Sequence, residues 1–186
     1  GIFAAIGNPG NPSIGKGGNI NIFADSLFLT NGAVIAASTS SGSQGNSGKI
    51  TITTDKQVSL DGTGDEEAST GIFTAVQPGA LGNANNIEIQ TDLLNVTNGA
   101  SLLTSTAGEG NAGNIKAEAR ILEVVDGGRF LTNTDGSGKA GNIILDVQDS
   151  IILSGSNTGL FANTTEGSTG DGGNIFIDPP RVTIRD

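Results

Sequence analysis

A glycine-rich turn closed by Asn-Ile keeps returning along this chain. It ends at Asn19-Ile20 and, as Lys-Ile, at Lys49-Ile50, then recurs at Asn86-Ile87, Asn114-Ile115, Asn142-Ile143 and Asn174-Ile175, with spacings of 30, 37, 28, 28 and 32 residues. A period of this size marks a stack of equivalent units, none of which can bury its apolar face without its neighbours. Two of the turns also spell G-x-G-x-x-G, at Gly108, Gly110, Gly113 and at Gly136, Gly138, Gly141. A dinucleotide loop of that spelling needs a helix to open on its last glycine, so that backbone N–H groups and the helix dipole meet the pyrophosphate. The segments after these glycines are "NIKAEA" and "NIILDV", which alternate as strands do. The glycines therefore read as a repeated turn, and no cofactor is expected.

Each period holds three short strand patterns. The first carries Ile20/Ile22, Ile50/Ile52, Ile87/Ile89, Ile115/Ala117, Ile143/Leu145 and Ile175/Ile177. The second carries Leu27/Leu29, Val58/Leu60, Leu94/Val96, Leu122/Val124, Ile151/Leu153 and Val182/Ile184, and most copies end on Asn-Gly or Asp-Gly. On the third, Phe3, Ile35, Phe73, Leu102, Phe130 and Phe161 are taken as equivalent inward positions. Alternation with period two buries one face of each strand. The pattern predicts an all-β, right-handed parallel β-helix (β-solenoid) of three strands and 28 to 37 residues per coil, each strand pairing in parallel with its copy one turn on. Layers about 4.8 Å apart make six coils a rod segment of roughly 25–30 Å. Residues 1–186 are read as one such segment of a larger protein, with coils starting near 19, 49, 86, 114, 142 and 174. Stacking also predicts an asparagine ladder of Asn19, Asn86, Asn114, Asn142 and Asn174, interrupted by Lys49.

Composition narrows the function classes. The net charge is −10, with nine Lys and Arg against nineteen Asp and Glu, so a nucleic-acid partner is not expected. No apolar run reaches the roughly 18 residues of a membrane span. The absence of cysteine fits an extracellular protein stabilised without disulfides.

The composite pattern G-N-x-G-N-I, L-x-L-x-N-G, A-x-I-x-A-x-T runs through "GGNINIFADSLFLTNGAVIAASTSSGSQGNSGKI", "NIEIQTDLLNVTNGASLLTSTAGEGNAGNI" and "GDGGNIFIDPPRVTIRD". Over essentially its whole length the chain resembles the haemagglutination-activity repeat proteins related to filamentous haemagglutinin, in the glycine- and asparagine-rich form common in cyanobacteria. The resemblance implies a right-handed β-helical exoprotein, exported by two-partner secretion and acting as a surface adhesin or fibre.

Chemistry on such a rod would need outward carboxylates gathered on neighbouring coils. The first outward row of the first strand reads Asn21, Thr51, Glu88, Lys116, Ile144 and Phe176, and that of the second reads Phe28, Ser59, Asn95, Glu123, Ile152 and Thr183. Neither row brings a carboxylate pair together, and histidine and cysteine are absent, so no catalytic residue is assigned. A polysaccharide-binding or polysaccharide-cleaving helix stands as the alternative, on fold analogy. The loop "DGTGDEE" supplies a calcium candidate in Asp61, Asp65, Glu66 and Glu67, although it lacks the order of an EF-hand. A Thr-x-Thr array of the ice-binding kind is missing, since Thr51 and Thr53 stand alone on their face.

The opposite parity of the third strand gives the interface candidate: Ile2, Ala4, Val34, Ala36, Ile72, Thr74, Leu103, Leu131, Leu160 and Ala162. A contiguous apolar face of this kind marks an interaction surface. The expected function is a non-catalytic shaft of a secreted or cell-surface fibrous exoprotein, acting in adhesion or in filament or lateral assembly. Its expected partners are further coils or other copies of the same protein, and surface glycans.

Overall fold

The computed structural model describes residues 1–8, 10–62 and 70–186. The chain is a parallel β-solenoid of about six turns, with about 30 residues and three strand segments per coil and no helix among the described residues. The first two segments of a coil run into one another as a single long strand: β2 (Ile20–Thr30), β4 (Ile50–Asp61), β6 (Ile87–Thr97), β8 (Ile115–Val125) and β10 (Ile143–Ser154). Each bends at its middle, and in three of the pairings the register slips there, as between Ala24 and Ser26 or between Val147 and Ser150, while β6 and β8 pair without a shift. In the last coil Pro179 and Pro180 cannot donate to the ladder, and the strand is split into β12 (Ile175–Asp178) and β13 (Val182–Arg185), both paired with β10. The third segments, β1 (Ile2–Phe3), β3 (Val34–Thr39), β5 (Gly71–Val76), β7 (Ser101–Thr106), β9 (Arg129–Thr134) and β11 (Gly159–Thr164), stack in that order as a second sheet.

The registers are those that the repeat demands on the long sheet. Ile20, Ile50, Ile87, Ile115, Ile143 and Ile175 form one column, and Leu29, Leu60, Val96, Val124, Leu153 and Ile184 another. Their central members are fully buried. Ile175 and Ile184 continue these columns, and Ile177 and Val182 the columns of Leu145 and Ile151, but all four are exposed, because no further coil of the described chain lies over them. Long and short sheets meet at Asn31-Gly32, Asn98-Gly99 and Asp126-Gly127, where both residues of the turn hold positive φ. Asn, Asp and Gly tolerate that conformation at least cost.

Candidate functional site

The surface of a solenoid is a set of rows, each made of one position repeated coil after coil. Glycine occupies two of these rows. A Cβ on Gly110 would lie 2.0 Å from the Gly82 carbonyl oxygen, one on Gly138 1.8 Å from that of Gly110, and one on Gly141 1.8 Å from that of Gly113. Two glycine columns thus exist because coils approach each other there more closely than any side chain allows. The first complete G-x-G-x-x-G leads into a strand, β8.

Beside the glycines the asparagine ladder forms with a definite polarity. The backbone N–H of Asn114 donates to Asn86 Oδ1 (2.9 Å), that of Asn142 to Asn114 Oδ1 (2.7 Å), and that of Asn174 to Asn142 Oδ1 (2.8 Å). At the interruption, the Lys49 N–H still donates to Asn19 Oδ1, whereas the Asn86 N–H turns to its neighbour Asn85 Oδ1. Lys49 Nζ instead reaches Glu88 on the next coil at 2.7 Å. A second ladder, absent from the sequence-based expectation, runs through the middle of the turn. Asn46, Asn83 and Asn111 each accept through Oδ1 the N–H of residue 83, 111 or 139. It too passes to an ion pair where lysine replaces asparagine, Lys139 to Asp171. Its signal lies in the sequence, since the residue after each of Gly45, Gly82 and Gly110 is asparagine.

Inside this corner the third strand supplies hydroxyls. Thr74, Thr104 and Thr132 are fully buried and donate to the carbonyls of Asn85, Gly113 and Gly141, while Thr39 and Thr106 do the same for Gly45 and Asn111. The turn's inward carbonyls would otherwise be buried without a donor. Thr39, Thr106 and Thr134 are likewise fully buried, and Thr164 continues their column by pairing with Thr134.

The third-strand phase needs correction in three coils. The register aligns Ile2, Ile35, Ile72, Leu102, Phe130 and Leu160, so Phe3, Phe73 and Phe161 point outward, in line with Ala36, Leu103 and Leu131. The cause lies two residues earlier. Gly1, Gly71 and Gly159 precede these phenylalanines, and a Cβ on Gly71 would stand 2.5 Å from the Phe73 ring. Each ring lies back over the bare glycine of its own strand and covers backbone that no side chain protects. The ten interface candidates therefore divide. Val34, Ala36, Leu103 and Leu131 face outward, whereas Ile2, Ala4, Ile72, Thr74, Leu160 and Ala162 belong to the inward columns. The outward face, corrected, is a central row of Phe3, Ala36, Phe73, Leu103, Leu131 and Phe161 flanked by rows of mostly small or polar residues, among them Ser38, Ser101, Ser105, Arg129 and Asn133.

The long sheet carries the charges. Asp25 pairs with Lys56 at 3.0 Å, and Arg120 holds Asp92 through two bonds and Asp149 through a third, so the bend is laced by ion pairs from coil to coil. The bond from Arg120 holds the Asp92 carboxyl below its ordinary range and raises the guanidinium's own affinity for its proton. Glu118 does the same for the Lys116 ammonium, mainly through their hydrogen bond. One row overturns the expectation that coil spacing brings no carboxylates together. Gln90, Glu118, Asp146 and Asp178 are in register, which stacks three carboxylates on successive coils beside Lys116. The expectation rested on the first outward position of the strand, and this row lies two residues further on.

Of the calcium candidates, Asp61 accepts a hydrogen bond from Asn98 Nδ2 (2.7 Å), while Asp65, Glu66 and Glu67 lie outside the described residues. Among the described residues no group of three or more acidic, histidine or cysteine side chains converges to hold a metal ion, and no helix is long and apolar enough to cross a membrane. Comparison of the chain with family models, with curated proteins and with solved structures gives no match.

Proposed function

We propose that this chain is a structural and adhesive shaft of a secreted or cell-surface fibrous exoprotein, working through adhesion or assembly rather than catalysis. The observation that carries the proposal is the direction of its polar bonding. The asparagine ladders, the ion pairs at the bend and the lysine replacements all tie one coil to the next along the rod. Bonding of that direction resists axial separation and keeps outward rows in register over the whole length, which suits a shaft that displays a repeated surface. The resemblance to haemagglutination-activity repeats supports the same reading and the extracellular location that goes with it.

The carboxylate row of Glu118, Asp146 and Asp178 beside Lys116 favours a second reading, a polysaccharide-cleaving helix. Two assays run together separate the two. Beads coated with the chain are tested for attachment to cells and to immobilised glycans, and the same preparation is incubated with acidic and neutral polysaccharides while reducing ends are counted. The proposal predicts attachment that scales with coating density and no new reducing ends. Release of reducing ends in proportion to protein, abolished by Glu118→Gln or Asp146→Asn, would replace it with the enzymatic reading.

A further inference from the structure

We infer that the outer face of the short sheet is a self-association surface, on which a second copy of this chain packs face to face with the two rods side by side. The inference rests on the reading of the chain as an assembling structural element and names the surface that does the assembling.

Charge supports it first. In a chain of net charge −10, the outward positions of β3, β5, β7, β9 and β11 carry one basic residue, Arg129, and no acidic one among the described residues. The long sheet's outer face, in contrast, bears Glu88, Glu118, Asp146 and Asp178 around Lys116 and stays acidic on balance. Two copies that meet by the short sheet thus keep their acidic surfaces apart, whereas two that meet by the long sheet bring like charges together.

Area and relief come next. Six strands about 4.8 Å apart and about 20 Å long present roughly 500 Å² of projected surface, or roughly 1,000 Å² across a pair. That is the lower edge of what a specific interface needs, the size class of weak and transient contacts. The face is also low in relief. Phe73 and Phe161 lie down over Gly71 and Gly159 instead of standing away from the sheet, so two such faces can approach to the roughly 10 Å of packed sheets.

A polar pair then selects the arrangement. Arg129 and Asn133 lie on one strand, two residues either side of Leu131. Asn133 Oδ1 is buried and has no hydrogen-bond partner among the described residues, where the Arg129 guanidinium uses only Nε, in a bond to the Asn157 carbonyl. A two-fold axis that runs along the Leu131 row, parallel to the rods, sets Arg129 of one copy over Asn133 of the other, and the reverse. A half-turn of the Asn133 amide aims the acceptor at that guanidinium, and the central apolar rows then meet along their length.

Analytical ultracentrifugation from 1 to about 500 μM tests the inference, with circular dichroism to confirm that each variant keeps its fold. The native chain is expected to move from 18.5 kDa toward twice that mass. Leu103→Glu and Leu131→Glu should hold it monomeric, and Arg129→Ala should weaken association roughly tenfold. Ser59→Glu, on the long sheet, should leave the dimer unchanged. A native chain that stays monomeric throughout, a dimer indifferent to Leu131→Glu, or a monomer whose short-sheet face instead retains a neutral polysaccharide overturns the inference. Its failure leaves the adhesive reading standing, while polysaccharide cleavage by a protein that still dimerises sinks that reading alone.

Discussion

Gly141→Ala isolates the physical reason for the glycine motif. Gly141 has no positive φ, so alanine adds no backbone strain there and the whole effect is one of space. The new Cβ would sit 1.8 Å from the Gly113 oxygen and 2.5 Å from its carbon. An ordinary carbon-to-oxygen contact is more than about 3 Å, so the two coils must separate locally by more than about 1 Å. Three bonds span that corner: Ala112 N–H to Lys139 O (2.9 Å), Ile115 N–H to Asn142 O (2.9 Å), and Asn142 N–H to Asn114 Oδ1 (2.7 Å). Weakening all three at about 0.5–1.5 kcal/mol each puts the destabilisation at roughly 1.5–4.5 kcal/mol. Gly99→Ala is the control, because its φ is +79° and nothing lies within 4 Å of a Cβ there. Its cost is conformational alone, about 1–2 kcal/mol. Urea denaturation followed by both circular dichroism and phenylalanine fluorescence measures the two, and the probes must agree because stacked repeats can lose cooperativity. A Gly141→Ala variant within about 0.5 kcal/mol of the native chain would refute the close-approach argument.

The same contacts set further outcomes. Thr104→Val should cost about 1–3 kcal/mol in the same denaturation assay, because the Gly113 carbonyl loses its hydroxyl donor, and Thr104→Ser, which keeps that donor, should cost less. Asn114→Ala should cost about 1 kcal/mol by leaving the Asn142 N–H unpaired, whereas Lys49→Asn should stay within about 1 kcal/mol of native, since it restores a ladder acceptor while losing a half-exposed ion pair. Asp92 titrates below its ordinary value in the folded chain, so its contribution is present above the unfolded carboxylate range and is lost as pH falls through the lowered value. Acid melts of Arg120→Gln should therefore show a shallower loss of stability below about pH 4 than the native chain.

Periodicity made most of the fold legible. On the long sheet two apolar positions alternate in every coil, and the register is over-determined. The third strand was harder to phase. In "GIFTAV" and "GLFANT" two adjacent apolar residues compete for the inward position, and side-chain size favours phenylalanine, yet the glycine two places back takes the ring and isoleucine or leucine goes inside. The asparagine ladder could be read because its residues share one offset from a landmark. Its twin was obscured where the same offset holds Lys139 or Asp171. The stacked Glu118, Asp146 and Asp178 were legible in the same way, each four residues after Asn114, Asn142 or Asn174, but an expectation built on the first outward position alone passes over them.

The in-and-out phase of the short sheet is the point on which core, outer face and association all rest, and the absence of native cysteine allows it to be measured against no background. Single cysteines placed one at a time from Ser101 to Thr106 and from Arg129 to Thr134, reacted with a maleimide before and after denaturation, give the rates. The account predicts fast labelling at 103 and 131 and protection at 102, 104, 130 and 132 until the chain unfolds. Protection at 103 and 131 with fast labelling at 102 and 130 would contradict it.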